Sequence, residues 1–135
     1  MLVRDYMTSK VFTIRVDKKL FVAQDIMDWA HVRHVPVVDR EQRVVGIVSH
    51  RDLLHAAISF VKTDVAEVER KQYLGTVPIE KVMQTTVRTI GPDATVQEAA
   101  KLMRTSKIGC LPVVDQGKLV GIISEYDLLR IVEQL

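Results

Sequence analysis

Apolar and polar positions fall into short blocks whose period changes from helix-like to strand-like and back. Leu20, Ala23, Met27 and Ala30 are spaced three or four apart and so share one helix face, and Val96, Ala99 and Met103 repeat that spacing later in the chain. A β-branched run precedes each helix, Val11 to Ile14 and Val87 to Ile90, and predicts a strand. Val35 to Val38 and Val44 to Val48 read as two further strands, separated by the polar Asp39-Arg40-Glu41-Gln42-Arg43, which predicts a hairpin loop. Asp115-Gln116-Gly117-Lys118 takes the same place later. A second helix begins after Gly46 and again after Gly121. Thr95-Val96-Gln97-Glu98 sets Thr three residues before Glu, which predicts a capped helix start.

The blocks are one unit written twice. At an offset of 76, Met7 falls on Met83, Thr13 on Thr89, Asp17 on Asp93, Ala23 on Ala99, and Pro36-Val37-Val38-Asp39 on Pro112-Val113-Val114-Asp115. After one residue is lost in the polar loop, an offset of 75 aligns Val45-Gly46-Ile47 with Val120-Gly121-Ile122, and Ser49, Asp52, Leu53 and Leu54 with Ser124, Asp127, Leu128 and Leu129. A gap confined to a turn marks two copies of one supersecondary unit. Each copy reads β-α-β-β-α, an α/β arrangement whose sheet has an uncovered face, and two copies packed through their sheets would bury both faces. The division expected is a first repeat at 1–54, a helical connector at 55–78 and a second repeat at 79–135. Leu54, Ile58, Val61, Val65 and Val68 carry helical spacing towards Gln72. That connector either lies on its own domain or offers an apolar seam to a second chain.

Composition narrows the classes. The 135 residues carry 47% hydrophobic and 27% charged side chains, which fits one compact globular module and not a disordered chain. Nineteen basic against 17 acidic residues leave a net charge of +2, too small to argue for nucleic acid or an anionic membrane. The single cysteine, Cys110, allows no internal disulfide. No apolar run approaches the ~20 residues that a membrane-spanning helix needs. A soluble, cytoplasmic protein is expected.

Chemistry concentrates at two equivalent places, Ser49-His50-Arg51-Asp52 and Ser124-Glu125-Tyr126-Asp127. In each, a strand ends at a hydroxyl residue that opens a helix, and a carboxylate follows in the first turn. As local structure this is a capping box. The same helix start also offers free N–H groups to a phosphate, and the carboxylate can accept hydrogen bonds from the vicinal hydroxyls of a ribose.

These residues carry a family resemblance. The paired Met-containing entries, the Pro-Val-Val-Asp strands and the Val-Gly-Ile-Val/Ile-Ser-x-x-Asp-Leu-Leu motifs resemble a tandem pair of CBS domains, the cystathionine-beta-synthase type Bateman module, over residues 3–54 and 79–134. The resemblance implies α/β repeats paired through their sheets, homodimers of modules, and adenosine-containing ligands such as AMP, ADP or ATP in clefts between the repeats. It implies phosphate contacts at Ser49 and Ser124 and ribose contacts at Asp52 and Asp127. It also implies an adenine slot lined by the first strand of each repeat and the residues around the proline. Those are Lys10, Val11, Arg33, His34, Val35 and Pro36 in one repeat, and Thr86, Val87, Gly109, Cys110, Leu111 and Pro112 in the other. Gly109 and Cys110 are small enough to admit a ring, so the second repeat is expected to hold the better pocket. His31 and Lys107 stand five residues before each proline, where the gamma subunit of AMP-activated protein kinase, a family member, has basic residues facing phosphates. Arg51 and His50 could add charge to the first site.

A regulatory module is therefore expected, one that senses an adenosyl ligand and acts on another protein. The ligand is regulatory and no cofactor is obligatory. A dimerisation or interaction module with empty clefts is the alternative. An enzyme is not expected, because no nucleophile is paired with a base and two similar half-sites suit binding better than one asymmetric reaction. His31-x-x-His34 lacks further ligands at metal spacing, so no metal is expected. Trp29 and Tyr73 are expected to pack in the protein and not to stack on nucleic acid.

Overall fold

The computed structural model of the chain describes residues 1–61, 72 and 74–135, of which 58–61 are described by their backbone alone. In chain order the elements are α1 (Val3–Tyr6), β1 (Ile14–Arg15), α2 (Leu20–Ala30), β2 (His34–Val38), β3 (Val44–Ser49), α3 (His50–Val61), a 3-10 turn (Ile79–Lys81), α4 (Val96–Ser106), β4 (Cys110–Asp115), β5 (Lys118–Ser124) and α5 (Glu125–Glu133). The fold is mixed α/β with two equivalent repeats. The connector helix is described as far as Val61; its continuation past Val65 and Val68, and Tyr73, lie outside the described residues.

The chain divides into two compact units. One is Phe12–Val87, the first-repeat unit, and the other joins Met1–Val11 to Arg88–Leu135, the second-repeat unit. In the first-repeat unit β1 runs parallel to β2, with Ile14 opposite Val37, and β2 runs antiparallel to β3, with Val35 opposite Val48 and Val37 opposite Gly46. In the second-repeat unit β4 and β5 pair with Leu111 opposite Ile123 and Val113 opposite Gly121. Both hairpins shift register at the same point, after Val37 and after Val113. The predicted first strands are shorter than their β-branched runs. Val11 belongs to one unit and Phe12 to the other, so pairing begins only at Ile14, and Val87 to Ile90 contributes a single bridge, Ile90 to Val113.

Each unit has its own core. Leu20, Ala23 and Met27 of α2 pack with Val35, Val37, Val48 and Ile79, and Ala99 and Met103 of α4 pack with Val3, Leu111, Val113 and Ile123. The spacing of these helical residues puts them on one face, and that face is the buried one. Trp29 departs from expectation. It lies on the solvent side of α2, 76% exposed, and meets Phe12 edge to face at a ring separation of 5.7 Å.

Entry segments complete each sheet's helix-bearing strand. Val3 donates its N–H to the Ala94 carbonyl (2.8 Å), Val96 donates to Met1 (3.0 Å), and Thr8 exchanges two hydrogen bonds with Ile122 (2.8 and 2.9 Å). The repeat partners of these residues do the same in the other unit. Ile79 donates to Lys18 (3.0 Å), Leu20 donates to Val77 (2.8 Å), and Gln84 exchanges two bonds with Ile47 (2.9 and 3.0 Å). Gly46 and Gly121 make this possible. A Cβ on Gly46 would fall 2.5 Å from Met83 Sδ and 3.1 Å from the Gln84 carbonyl, and one on Gly121 would fall 2.5 Å from Met7 Sδ and 3.0 Å from the Thr8 carbonyl. The glycine of each Val-Gly-Ile motif is thus a place of close backbone approach.

Candidate functional site

The two Ser–Asp helix starts form as the sequence suggested, and each is a reciprocal cap. At α3, the Asp52 N–H donates to Ser49 Oγ (3.1 Å) while the Ser49 N–H donates to Asp52 Oδ2 (2.9 Å). At α5, the Asp127 N–H donates to Ser124 Oγ (3.4 Å) while Asp127 Oδ2 accepts from the Ser124 N–H (2.8 Å) and from its hydroxyl (3.1 Å). The sheet delivers both serines to the residues before the prolines. His34 stands opposite Ser49 and Cys110 opposite Ser124, and each helix's first N–H reaches back across the hairpin, His50 to the Arg33 carbonyl (2.7 Å) and Glu125 to the Gly109 carbonyl (2.9 Å).

The carboxylates differ in their second oxygen. Asp52 Oδ1 accepts from the Gln84 side-chain amide at 3.1 Å. Asp127 Oδ1 faces the Arg130 guanidinium at 3.8 Å, an ion pair beyond hydrogen-bonding distance, although the Asp127 side chain is only 7% exposed. Neither Gln84 nor Arg130 was marked by the repeat, because Gln84 aligns with Thr8 and Arg130 with His55.

The remaining expected residues distribute unevenly. The first-strand dipeptides exchange places relative to the repeat order. Lys10 and Val11 belong to the unit that carries Ser124 and Asp127, and Thr86 and Val87 to the unit that carries Ser49 and Asp52. The cause is the edge pairing of Thr8 with Ile122 and of Gln84 with Ile47, which draws each entry segment onto the opposite repeat's strand. Lys10 and Thr86 are exposed, and Val11 and Val87 half-buried. Val35, Pro36, Leu111 and Pro112 are fully buried, main chain included, so none of the four presents a surface to a ligand in this structure. His34 is half-buried and is already engaged by a neighbour. Arg51 and His50 are exposed in the first turn of α3.

Gly109 borders the exposed side chain of Glu125 at ordinary contact distance, so room for a Cβ remains. The Glu125 carboxylate stands 3.4 Å from where a Cβ would sit. Cys110 is buried, and burial together with the Glu125 charge pushes its thiol up to about 12, so it stays protonated and inert. His31 and Lys107 occupy one structural position, the left-handed C-cap of α2 and of α4, with φ of 55° and 56°. Both are exposed at helix C-termini, where a cation complements the negative end of the helix. A shallow depression of about 410 Å³ runs along α4 past Glu98, Lys101 and Thr105 and includes none of the expected residues.

Among the described residues no three His, Cys, Asp or Glu side chains gather as a metal site, and no helix is long and apolar enough to cross a membrane.

The CBS domain model matches residues 3–59 and again residues 79–134. The chain belongs to the CBS-domain family. A CBS domain-containing protein of Dictyostelium discoideum is 36% identical over 129 residues, covering 95% of this chain and 88% of that one. The fold of a CBS domain pair solved in complex with 5′-methylthioadenosine and S-adenosyl-L-methionine superposes with a TM-score of 0.84 at 25% identity, covering 99% of this chain and 97% of that one. A second CBS structure, solved in complex with AMP, gives 0.80 at 26% identity, covering 98% and 96%. Enzymes also match, but only through their CBS portion. The chain covers 22% of the inosine-5′-monophosphate dehydrogenase of Halalkalibacterium halodurans, at 31% identity over 123 residues.

Proposed function

We propose that this CBS pair is a cytoplasmic regulatory module that binds an adenosine-containing ligand, AMP, ADP, ATP or a related adenosyl compound, at its Ser–Asp helix openings and signals occupancy to a partner protein. The observation that carries this reading is Asp127. One of its oxygens is fixed by Ser124, and the other, 3.8 Å from the Arg130 guanidinium, accepts no hydrogen bond among the described residues. A ribose diol can supply a donor to that oxygen, and the positive N-terminal end of the helix suits a phosphate. The related CBS pairs held AMP, or 5′-methylthioadenosine and S-adenosyl-L-methionine. Of the residues around the two prolines, half-buried Gly109 is the one whose backbone would meet the base, and Lys10, Thr86, His31, Lys107 and Arg51 are the charged or polar groups available to the rest of the ligand. Signalling requires only that the ligand bind one arrangement of the protein more tightly than another.

Titration calorimetry with AMP, ADP, ATP and S-adenosylmethionine tests this. Binding should weaken on the order of tenfold or more in Asp127→Ala, the range of a hydrogen bond to a charged group, and bound ligand should raise the melting temperature. No heat and no thermal shift with any of the four at millimolar concentration would defeat the reading. The second reading is an interaction module with empty sites, in which two chains pair. It is favoured by the exposed apolar row Tyr126, Leu129 and Val132 on α5, whose residues are 70%, 62% and 61% exposed. Dimers in sedimentation together with no heat from any of the four ligands would favour this second reading, whereas heat that Asp127→Ala abolishes would favour the first.

A further inference from the structure

We infer that Gln84 is a built-in gate that makes the two Ser–Asp sites unequal, so that the Asp127 site takes an adenosyl ligand first and the Asp52 site opens only when the Gln84 amide is displaced. This rests on the reading of the serine and aspartate pairs as ligand sites.

An ionised carboxylate only accepts hydrogen bonds, so the Gln84 side chain must present its NH₂ group to Asp52. With Oδ2 held by the Ser49 N–H at 2.9 Å and Oδ1 held by Gln84 at 3.1 Å, both oxygens of Asp52 are engaged from within the protein. A ribose diol reaching for Asp52 competes with the amide for Oδ1. At Asp127 that competitor is missing. The residue in Gln84's place is Thr8, anchored by the same pair of backbone bonds, Thr8 with Ile122 where Gln84 has Ile47. A threonine hydroxyl sits on Cβ, whereas the glutamine amide lies two carbons further out, and no hydrogen bond joins Thr8 to Asp127 among the described residues. The Gln84 backbone is fixed and its side chain is exposed, so opening needs rotation of side-chain torsions and no change in the sheet. Because the amide is solvent-accessible, the competing bond is a modest one, and the gate is expected to weaken the Asp52 site roughly tenfold.

The reciprocal exchange of the two residues tests this in the full chain, and each substitution installs a residue that the same edge position already tolerates in the other unit. With AMP as the titrant, the wild type should show one tight site that Asp127→Ala removes and Asp52→Ala leaves. Gln84→Thr should reveal a second site of comparable affinity, and Thr8→Gln should weaken the tight site about tenfold. Two equal sites in the wild type, or a Gln84→Thr variant that keeps a single site, would overturn the gate while leaving ligand binding intact. Absence of heat with AMP, ADP, ATP and S-adenosylmethionine would remove the binding reading itself. The gate can also be read without ligand. The Gln84 side-chain amide resonances of the free protein should move in Asp52→Ala and stay fixed in Asp127→Ala, and resonances indifferent to both variants would overturn it.

Discussion

Helix α4 opens on Thr95, whose hydroxyl accepts from the Glu98 N–H at 3.0 Å while the Glu98 carboxylate accepts from the Thr95 N–H at 2.8 Å. Helix α2, its counterpart in the first-repeat unit, opens on Lys19 with no side-chain cap and no acidic residue in its first turn. The same contrast recurs at the hairpins. The second-repeat turn places Gln116 and Gly117 at positive φ, 51° and 81°, the two successive left-handed residues of a type I′ turn. The first-repeat loop has one such residue, Gln42, and is fastened by the side chain of Asp39, which accepts from the Glu41 and Arg43 N–H groups at 2.9 and 3.0 Å. The two units therefore share the strand register, the Ser–Asp caps and the glycine that admits the entry segment, and differ in how α2 and α4 are opened and how their hairpins are fastened. What recurs is what each copy needs in order to pack and to open its last helix, and a helix start or a turn that several devices can fasten is where the copies differ.

The shared feature is the one whose loss costs most. Gly121→Ala drives a methyl group against Met7 and the Thr8 carbonyl, and the carbonyl belongs to backbone held by two hydrogen bonds. We expect a loss of about 1–3 kcal/mol, the range of overpacking, with Gly46→Ala equivalent in the other unit. Deleting residues 1–11 should go further and unfold the second-repeat unit, because it removes fully buried Val3 and the bonds that Met1, Val3, Arg4 and Thr8 make to that unit. Urea unfolding followed through Cys110 labelling reads that unit, whose buried thiol is protected while folded. A deletion variant with wild-type protection at Cys110 would show that the entry segment is ornamental.

Thr95→Ala sharpens the contrast between the helices. It should cost about 1 kcal/mol, the usual worth of a cap, whereas Lys19→Ala should cost little because Lys19 makes no cap bond. Equal losses in thermal melts would mean that the capping box contributes nothing beyond what α2 manages without it.

Much of this was legible in the sequence, for identifiable reasons. Periodicity placed Leu20, Ala23, Met27, Val96, Ala99 and Met103 in the cores because a helix has one buried face, and both Ser–Asp caps and the Thr95–Glu98 box were readable because caps act within four residues. The exchange of entry segments was not readable. It depends on Thr8 pairing with Ile122 and Gln84 with Ile47, contacts across more than 30 residues that leave only a glycine in a Val-Gly-Ile motif as their trace. Gln84 escaped notice for a related reason, since its bond to Asp52 exists only after that pairing has formed and its repeat partner is a threonine.

The smallest expected effect concerns the hairpins and is a matter of acid response. Asp39 has its carboxyl held below the ordinary value of 3.8, chiefly by the Arg43 N–H, with further help from the Glu41 N–H and the Arg43 charge. A carboxyl whose value in the folded protein lies below its unfolded value favours folding at pH above the unfolded value, and that contribution drains away as pH falls through the folded value. The first-repeat unit should therefore lose a small increment of stability as pH drops below 3.8, and Asp39→Asn should abolish that increment, since the amide oxygen can still accept the two N–H groups but no longer titrates. Asp115→Asn should change nothing comparable, because its turn is held by the left-handed conformations of Gln116 and Gly117. Denaturant unfolding of both variants across the acid range would show the wild-type advantage over Asp39→Asn shrinking towards low pH. A constant difference would mean that the two loops are fastened by backbone geometry alone.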